Sequence, residues 1–139
     1  MLMIFQRPAF IALPLVFLAC SDGGLPPEYR QLEVPESRLS SAEARRSGRE
    51  LFLAHCALCH GEKADGVGRR RNLSSRPADF TDPFWRQRVG PRDLYQVIRE
   101  GVKGTAMPGF KALSEAEIWD LVAYISSVAE EWSPRDRSD

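Results

Sequence analysis

The sequence predicts an all-α domain, three main helices joined by long loops that wrap around one covalently attached group. Three observations carry this. Three stretches repeat apolar residues at helical spacing, and no convincing strand is found. The irregular stretch 61–90 is long for a compact domain and has no core of its own, so it must wrap something. Cys56-Ala57-Leu58-Cys59-His60 supplies the object. C-x-x-C-H is the attachment site of a c-type haem, in which two thiols three positions apart can each form a thioether to a vinyl group. The next residue then offers an imidazole to the iron. A structural disulfide would leave His60 idle, a thioredoxin-like pair expects a βαβ pattern nearby, and a zinc site expects a second ligand pair that this sequence lacks.

The 139 residues make one domain, and the formal net charge of zero gives no sign of nucleic-acid binding. From the amino terminus, Arg7 adds a positive charge, Pro8 to Ala19 is almost wholly apolar, and a small residue precedes Cys20. This pattern describes a secretory signal over residues 1–19; the apolar stretch is short for a membrane-spanning helix. Phe17-Leu18-Ala19-Cys20 resembles the lipobox of bacterial lipoproteins, although leucine is usual where Phe17 stands. Cys20 is therefore expected to carry a lipid and to anchor the chain to a bacterial membrane on its periplasmic side. Residues 20–40 hold Gly23-Gly24, Pro26-Pro27 and Pro35 without a sustained apolar period. They read as a flexible tether, with a root-mean-square span of about 25 Å.

The domain is expected over residues 41–132, followed by a disordered tail at 133–139. Ser40-Ser41-Ala42-Glu43 reads as a capping box, after which Ala44, Gly48, Leu51 and Phe52 share one helical face that runs into the haem motif. The loop 61–90 follows, punctuated by Gly61, Gly66, Gly68, Pro77 and Pro83. A second helix starts near Pro91 and Asp93, buries Leu94, Val97 and Ile98, and stops at Gly101. A third starts at the capping box Ser114-Glu115-Ala116-Glu117. It buries Ile118, Leu121, Val122 and Ile125, with Trp119 and Tyr124 at the flanks, and ends at Ser133-Pro134.

Between the second and third helices lies Gly104-Thr105-Ala106-Met107-Pro108-Gly109-Phe110. Met1 and Met3 belong to the signal, which leaves Met107 as the methionine of the domain. His55 lies five residues before His60 on the same helix, on the same side of the porphyrin, and reads as a pocket-edge or surface histidine. Lys103 and Lys111 would have to be neutral to bind iron, which is costly near pH 7. His60 and Met107 are thus the expected axial ligands. A thioether is neutral and soft, so it favours ferrous iron and raises the potential. With both axial positions filled, catalysis at iron is not expected; the chain reads as an electron carrier and not an enzyme.

Taken together, Gly48-Arg49-Glu50-Leu51-Phe52, the C-x-x-C-H motif, Thr105 to Phe110 and Leu113 to Ile125 resemble the class I c-type cytochromes. The similarity is greatest to the small domains of cbb3-type oxidase cytochrome c subunits. The resemblance implies the cytochrome c fold and one covalent haem c on Cys56 and Cys59. It implies ligation by His60 and Met107, and Gly48 and Phe52 crossing Leu121 and Tyr124. It also implies a proline whose carbonyl accepts a hydrogen bond from His60, for which Pro77 is the candidate.

Residues 69–92 carry seven arginines and two aspartates, whereas 113–139 carry seven acids and two arginines. The arginine-rich loop is expected to meet an acidic redox partner, since such fields raise encounter rates. Two functions stay open: a membrane-tethered carrier between redox proteins, and a fixed haem subunit of a respiratory oxidase, reductase or dehydrogenase complex.

Overall fold

Helix-on-helix packing fixes the frame. The computed structural model describes residues 24–131, and the regular elements among them are all helical. They are α1 (Pro27–Arg30), α2 (Glu36–Leu39), α3 (Ala42–His55), α4 (Ala57–His60), α5 (Pro83–Arg88), α6 (Pro91–Glu100) and α7 (Glu115–Glu131). The three expected helices are α3, α6 and α7.

The closest crossing joins α3 to α7. A Cβ built on Gly48 would lie 1.9 Å from the Asp120 carbonyl oxygen, so only glycine lets the two backbones approach this far. One turn on, fully buried Phe52 packs its ring 5.3 Å from that of Tyr124. Ile118, Leu121 and Val122 of α7 are likewise fully buried, and Ile125 nearly so. Against this frame α6 buries Leu94, Tyr95 and Ile98, and the Tyr95 ring lies 4.7 Å from that of Trp119.

The caps follow the chemistry of orphan backbone groups. Ser114 and Glu117 form the expected box: the Ser114 N–H donates to Glu117 Oε2 at 2.8 Å, and the Glu117 N–H donates to Ser114 Oγ at 3.3 Å. At α3 the cap lies one residue later than expected. Ser41 Oγ accepts from the Ala44 N–H at 3.3 Å, while the Ser40 hydroxyl donates back to the Glu36 and Ser37 carbonyls of α2. Gly90 donates its N–H to Asp93 Oδ2 at 2.7 Å to start α6, and Gly101 at φ 77° ends it.

Two elements depart from the sequence reading. Helix α5 interrupts the stretch expected to be irregular. Its Asp82 side chain accepts from the Phe84 N–H at 2.9 Å, with Pro83 at the first helical position. The second departure is the tether. Its described part, from residue 24 on, folds back onto the domain instead of hanging free. Tyr29, Leu32, Val34 and Leu39 pack against the core. The Arg92 Nε–H donates to the Leu32 carbonyl at 2.7 Å, the Tyr29 hydroxyl to Glu100 Oε1 at 2.8 Å, and Arg38 pairs with Asp120. These four apolar residues sustain no helical or strand period, so periodicity could not reveal them.

The expected signal at 1–19, Cys20, the start of the tether and the tail at 133–139 lie outside the described residues. No helix among the described residues is long and apolar enough to cross a membrane.

Candidate haem site

Helix α3 delivers the C-x-x-C-H motif to the edge of a cavity of about 390 Å³, within the range of small-molecule and cofactor sites. Cys56 breaks the helix axis between α3 and α4; its N–H donates to the Phe52 carbonyl at 2.8 Å, and its own carbonyl accepts from the His60 N–H at 2.9 Å. The chain then turns back tightly under the motif. A Cβ on Gly68 would lie 2.3 Å from the Cys59 carbonyl oxygen. The Gly66 N–H donates to the His60 carbonyl at 2.8 Å and the Arg70 N–H to the Leu58 carbonyl at 2.9 Å. Fully buried Ala64 holds a left-handed φ of 61° and accepts at its carbonyl from the Phe80 N–H at 2.9 Å.

That last bond positions Phe80 against His60. The two rings stack with centroids 4.8 Å apart and planes 17° from parallel. His60 Nδ1 lies 3.2 Å from the Ala78 carbonyl. A carbonyl only accepts, so Nδ1 carries the proton and Nε2 keeps its lone pair for a metal. Burial lowers the His60 pKa, against the opposing pull of the Ala78 carbonyl, and so favours the neutral imidazole. The partner expected at Pro77 is therefore Ala78, one residue later. The Pro77 carbonyl instead faces Gly66, where an added Cβ would lie 2.9 Å away.

Met107 lines the same cavity as Cys56, Cys59 and His60. Its loop is held by short-range bonds. The Thr105 hydroxyl donates to the Val102 carbonyl at 2.8 Å and accepts from the Met107 N–H at 3.1 Å; the Val102 N–H donates to the Met107 carbonyl at 3.1 Å. Leu94, Val97 and Ile98 of α6 add apolar wall. His55 is an exposed residue at the cavity edge, its ring 6.1 Å from Phe110. Lys111, weighed as a rival ligand, pairs with Glu100 at 2.9 Å.

The donor set fits a c-type haem. Cys56 and Cys59 are free, partly buried thiols; burial, with a smaller contribution from Cys59, pushes Cys56 up to about 12. They share a largely apolar cavity with a neutral imidazole and a thioether, the two iron ligands of the cytochromes c. Among the described residues no group of three or more His, Cys, Asp or Glu side chains could hold a bare metal ion. Sequence reasoning missed Ala78, Phe80 and Trp85, whose ring meets Phe80 edge-on at 4.8 Å. The available signal was the pair of aromatics around Asp82-Pro83 in a loop that had to wrap a ring.

The family model described as "Cytochrome C oxidase, cbb3-type, subunit III" matches residues 43–125. The chain belongs to this family. Within it, the chain is 33% identical over 86 residues to the cbb3-type cytochrome c oxidase subunit FixP of Azorhizobium caulinodans, covering 61% of this chain and 27% of that one. It thus spans about a quarter of that relative's length. Among solved structures it is similar to a chain of the reducing HAO-like protein complex of Kuenenia stuttgartiensis, with TM-score 0.55 and 25% identity over 73% of this chain and 48% of that one. The fold is that of the cytochromes c, and the cofactor of this family member is haem c. The chain is a haem c electron-carrier domain.

Proposed function

We propose that Cys56 and Cys59 carry the two thioether links and that His60 and Met107 are the axial ligands. The domain passes single electrons between redox proteins on the periplasmic side of a bacterial membrane, held there by a lipid on Cys20, and is not itself an enzyme. The observation that carries this reading is that Met107 and the whole C-x-x-C-H triad line one cavity. Haem supplies a reversible one-electron change at iron. The protein's part is to hold and orient. Ala78 and Phe80 fix the plane and tautomer of the His60 ring. Met107 offers a neutral, soft sulfur that favours the reduced state. The apolar wall would keep water from the bound group, and with His60 and Met107 both engaged no open site would remain for oxygen.

Exposed Arg70 and Arg76 line the cavity rim. They belong to the arginine-rich stretch 69–92, so the partner that docks at this rim is acidic. The likeness to an oxidase subunit favours a second reading, a fixed haem subunit of a respiratory oxidase, reductase or dehydrogenase complex. Co-purification under mild detergent with a stoichiometric partner selects the second reading; recovery as a lone haem protein selects the first.

The deciding experiment is the optical spectrum of the protein matured in a haem-attaching host. The ferric protein is expected to show the weak sulfur-to-iron charge-transfer band at the red edge of its spectrum. Met107→Ala should abolish it, and Cys56→Ala with Cys59→Ala should yield protein without covalent haem. A colourless mature protein, or a band unmoved by Met107→Ala, overturns the assignment.

A further inference from the structure

The loop that bears Met107 leaves α6 after Glu100 and ends before Lys111. Its neck is backbone against backbone. At Gly101, φ 77°, an added Cβ would lie 2.7 Å from the Gly109 nitrogen and the Met107 carbonyl oxygen; at Gly109 it would lie 2.7 Å from the Arg99 carbonyl oxygen. The Phe110 N–H donates to the Ile98 carbonyl at 2.9 Å. Across the two ends of this neck the Glu100 carboxylate makes two contacts. Oε2 meets Lys111 Nζ at 2.9 Å, and Oε1 accepts the Tyr29 hydroxyl at 2.8 Å. Tyr29 comes from the folded-back N-terminal segment. Its ring lies 6.3 Å from that of Tyr95 on α6, and the same segment is tied to the start of α6 through Arg92 and Leu32.

We propose that Tyr29, Glu100 and Lys111 form a clasp that holds the methionine loop shut, making the N-terminal segment a positioning element for the axial sulfur. The inference rests on Met107 being the iron ligand. Magnitudes favour a local effect. An exposed ion pair or hydrogen bond is too weak to decide whether the domain folds. Opening one loop is itself a low-energy event. Losing one weak contact there shifts the open population severalfold while the helices stay formed. Besides the clasp, the Phe110 to Ile98 backbone bond ties the end of the loop to α6, whereas bonds such as Thr105 to Val102 are internal to the loop.

The test uses the full-length haem-loaded ferric protein and imidazole as the probe, because imidazole takes the sixth position only when sulfur leaves it. Tyr29→Phe and Glu100→Ala are each expected to bind imidazole about three- to tenfold more tightly than wild type. The double variant should gain little over Glu100→Ala alone, since Glu100→Ala already removes the Tyr29 contact together with that of Lys111. Arg45→Ala, which removes a surface pair with Glu130 at 3.4 Å away from the loop, should bind as wild type does. Below the melting transition the helical circular dichroism of all of them should match that of wild type. Lys111→Gln, which leaves the N-terminal segment untouched, should also tighten binding and serves if another variant does not fold.

Unchanged imidazole affinity in Tyr29→Phe, with the sulfur-to-iron band present in wild type, overturns the clasp and leaves Met107 ligation standing. An effect in Lys111→Gln but not in Tyr29→Phe also overturns the role of the N-terminal segment. Absence of the band from wild type overturns Met107 ligation and the clasp with it.

Discussion

His60 Nδ1 and the Ala78 carbonyl lie 3.2 Å apart, bridging the haem motif and a loop residue eighteen positions later. A backbone acceptor sets the imidazole, so no side-chain change at position 78 removes it directly. The orientation depends on whatever holds the 61–80 loop in place. Beyond the tight turn under the motif, these contacts include Ala64 to Phe80 through the backbone, Gly66 against Pro77, and Phe80 on the His60 ring.

Phe80 is the most testable of these. It is buried, stacks on His60 and meets Phe52 and Trp85 edge-on. Phe80→Ala removes all three contacts and is expected to cost about 3–5 kcal/mol, read as a shift in the denaturant midpoint of the haem-loaded protein. The potential should change as well, because a loosened imidazole donates differently to iron. A stability loss below about 1 kcal/mol would mean the ring is not part of the core.

Gly48→Ala sets two effects against each other. Alanine gains about 1 kcal/mol of helix propensity over glycine. Its Cβ, however, would lie 1.9 Å from the Asp120 carbonyl oxygen, a backbone atom that cannot move without shifting α7. Overpacking of this kind costs about 3 kcal/mol, so the clash wins and a net loss of about 2 kcal/mol is expected in chemical denaturation. A neutral or stabilising outcome would show that the two helices cross less closely than described.

Why the frame could be read from sequence and the site's supports could not is a matter of range. Helices α3, α6 and α7 announce themselves by apolar spacing and by caps within four residues, as at Ser114 and Glu117. The triad and Met107 stand out in the sequence because their residue types are scarce and their chemistry narrow, and the structure brings them to one cavity. Ala78 does not, because any residue carries a carbonyl and only the folded loop decides which one faces the imidazole; the reasonable choice of Pro77 missed by one position. The N-terminal segment was misread for the same reason. Its Tyr29 to Glu100 bond spans 71 positions, and nothing local predicts it.

Electrostatic docking at the arginine-rich rim predicts a salt dependence. Electron transfer with an acidic redox protein should slow as salt rises from about 0.01 to 0.15 M, over which the screening length falls from about 30 to 8 Å. Stopped-flow rates for Arg70→Glu and Arg76→Glu should be lower at low salt and flatter against ionic strength than wild type, whereas Arg45→Ala should follow wild type. The full effect of such steering is about tenfold or more. Rates independent of salt would remove the docking role from this loop.

The Tyr29 phenol offers a pH test of the folded-back segment. Burial, then the hydrogen bond to Glu100 and its charge, push the phenol from 10.0 up to about 12, with Arg99 pulling the other way and Glu28 adding slightly to the rise. The folded state therefore prefers the neutral phenol more than the unfolded chain does. Below pH about 10 both states keep the proton and the contribution is intact. Between about 10 and 12 the unfolded chain loses protons first, so stability falls as pH rises. Tyr95 shifts in the same direction, chiefly through burial, and leaves a slope of its own. Tyr29→Phe removes only the Tyr29 component. Its stability should thus fall less steeply than wild type over this range in parallel denaturation series, and the gap between the two curves should narrow with rising pH. Parallel curves would place Tyr29 in solvent, with its hydroxyl free of Glu100, and the segment would then be the loose tether that its composition suggests.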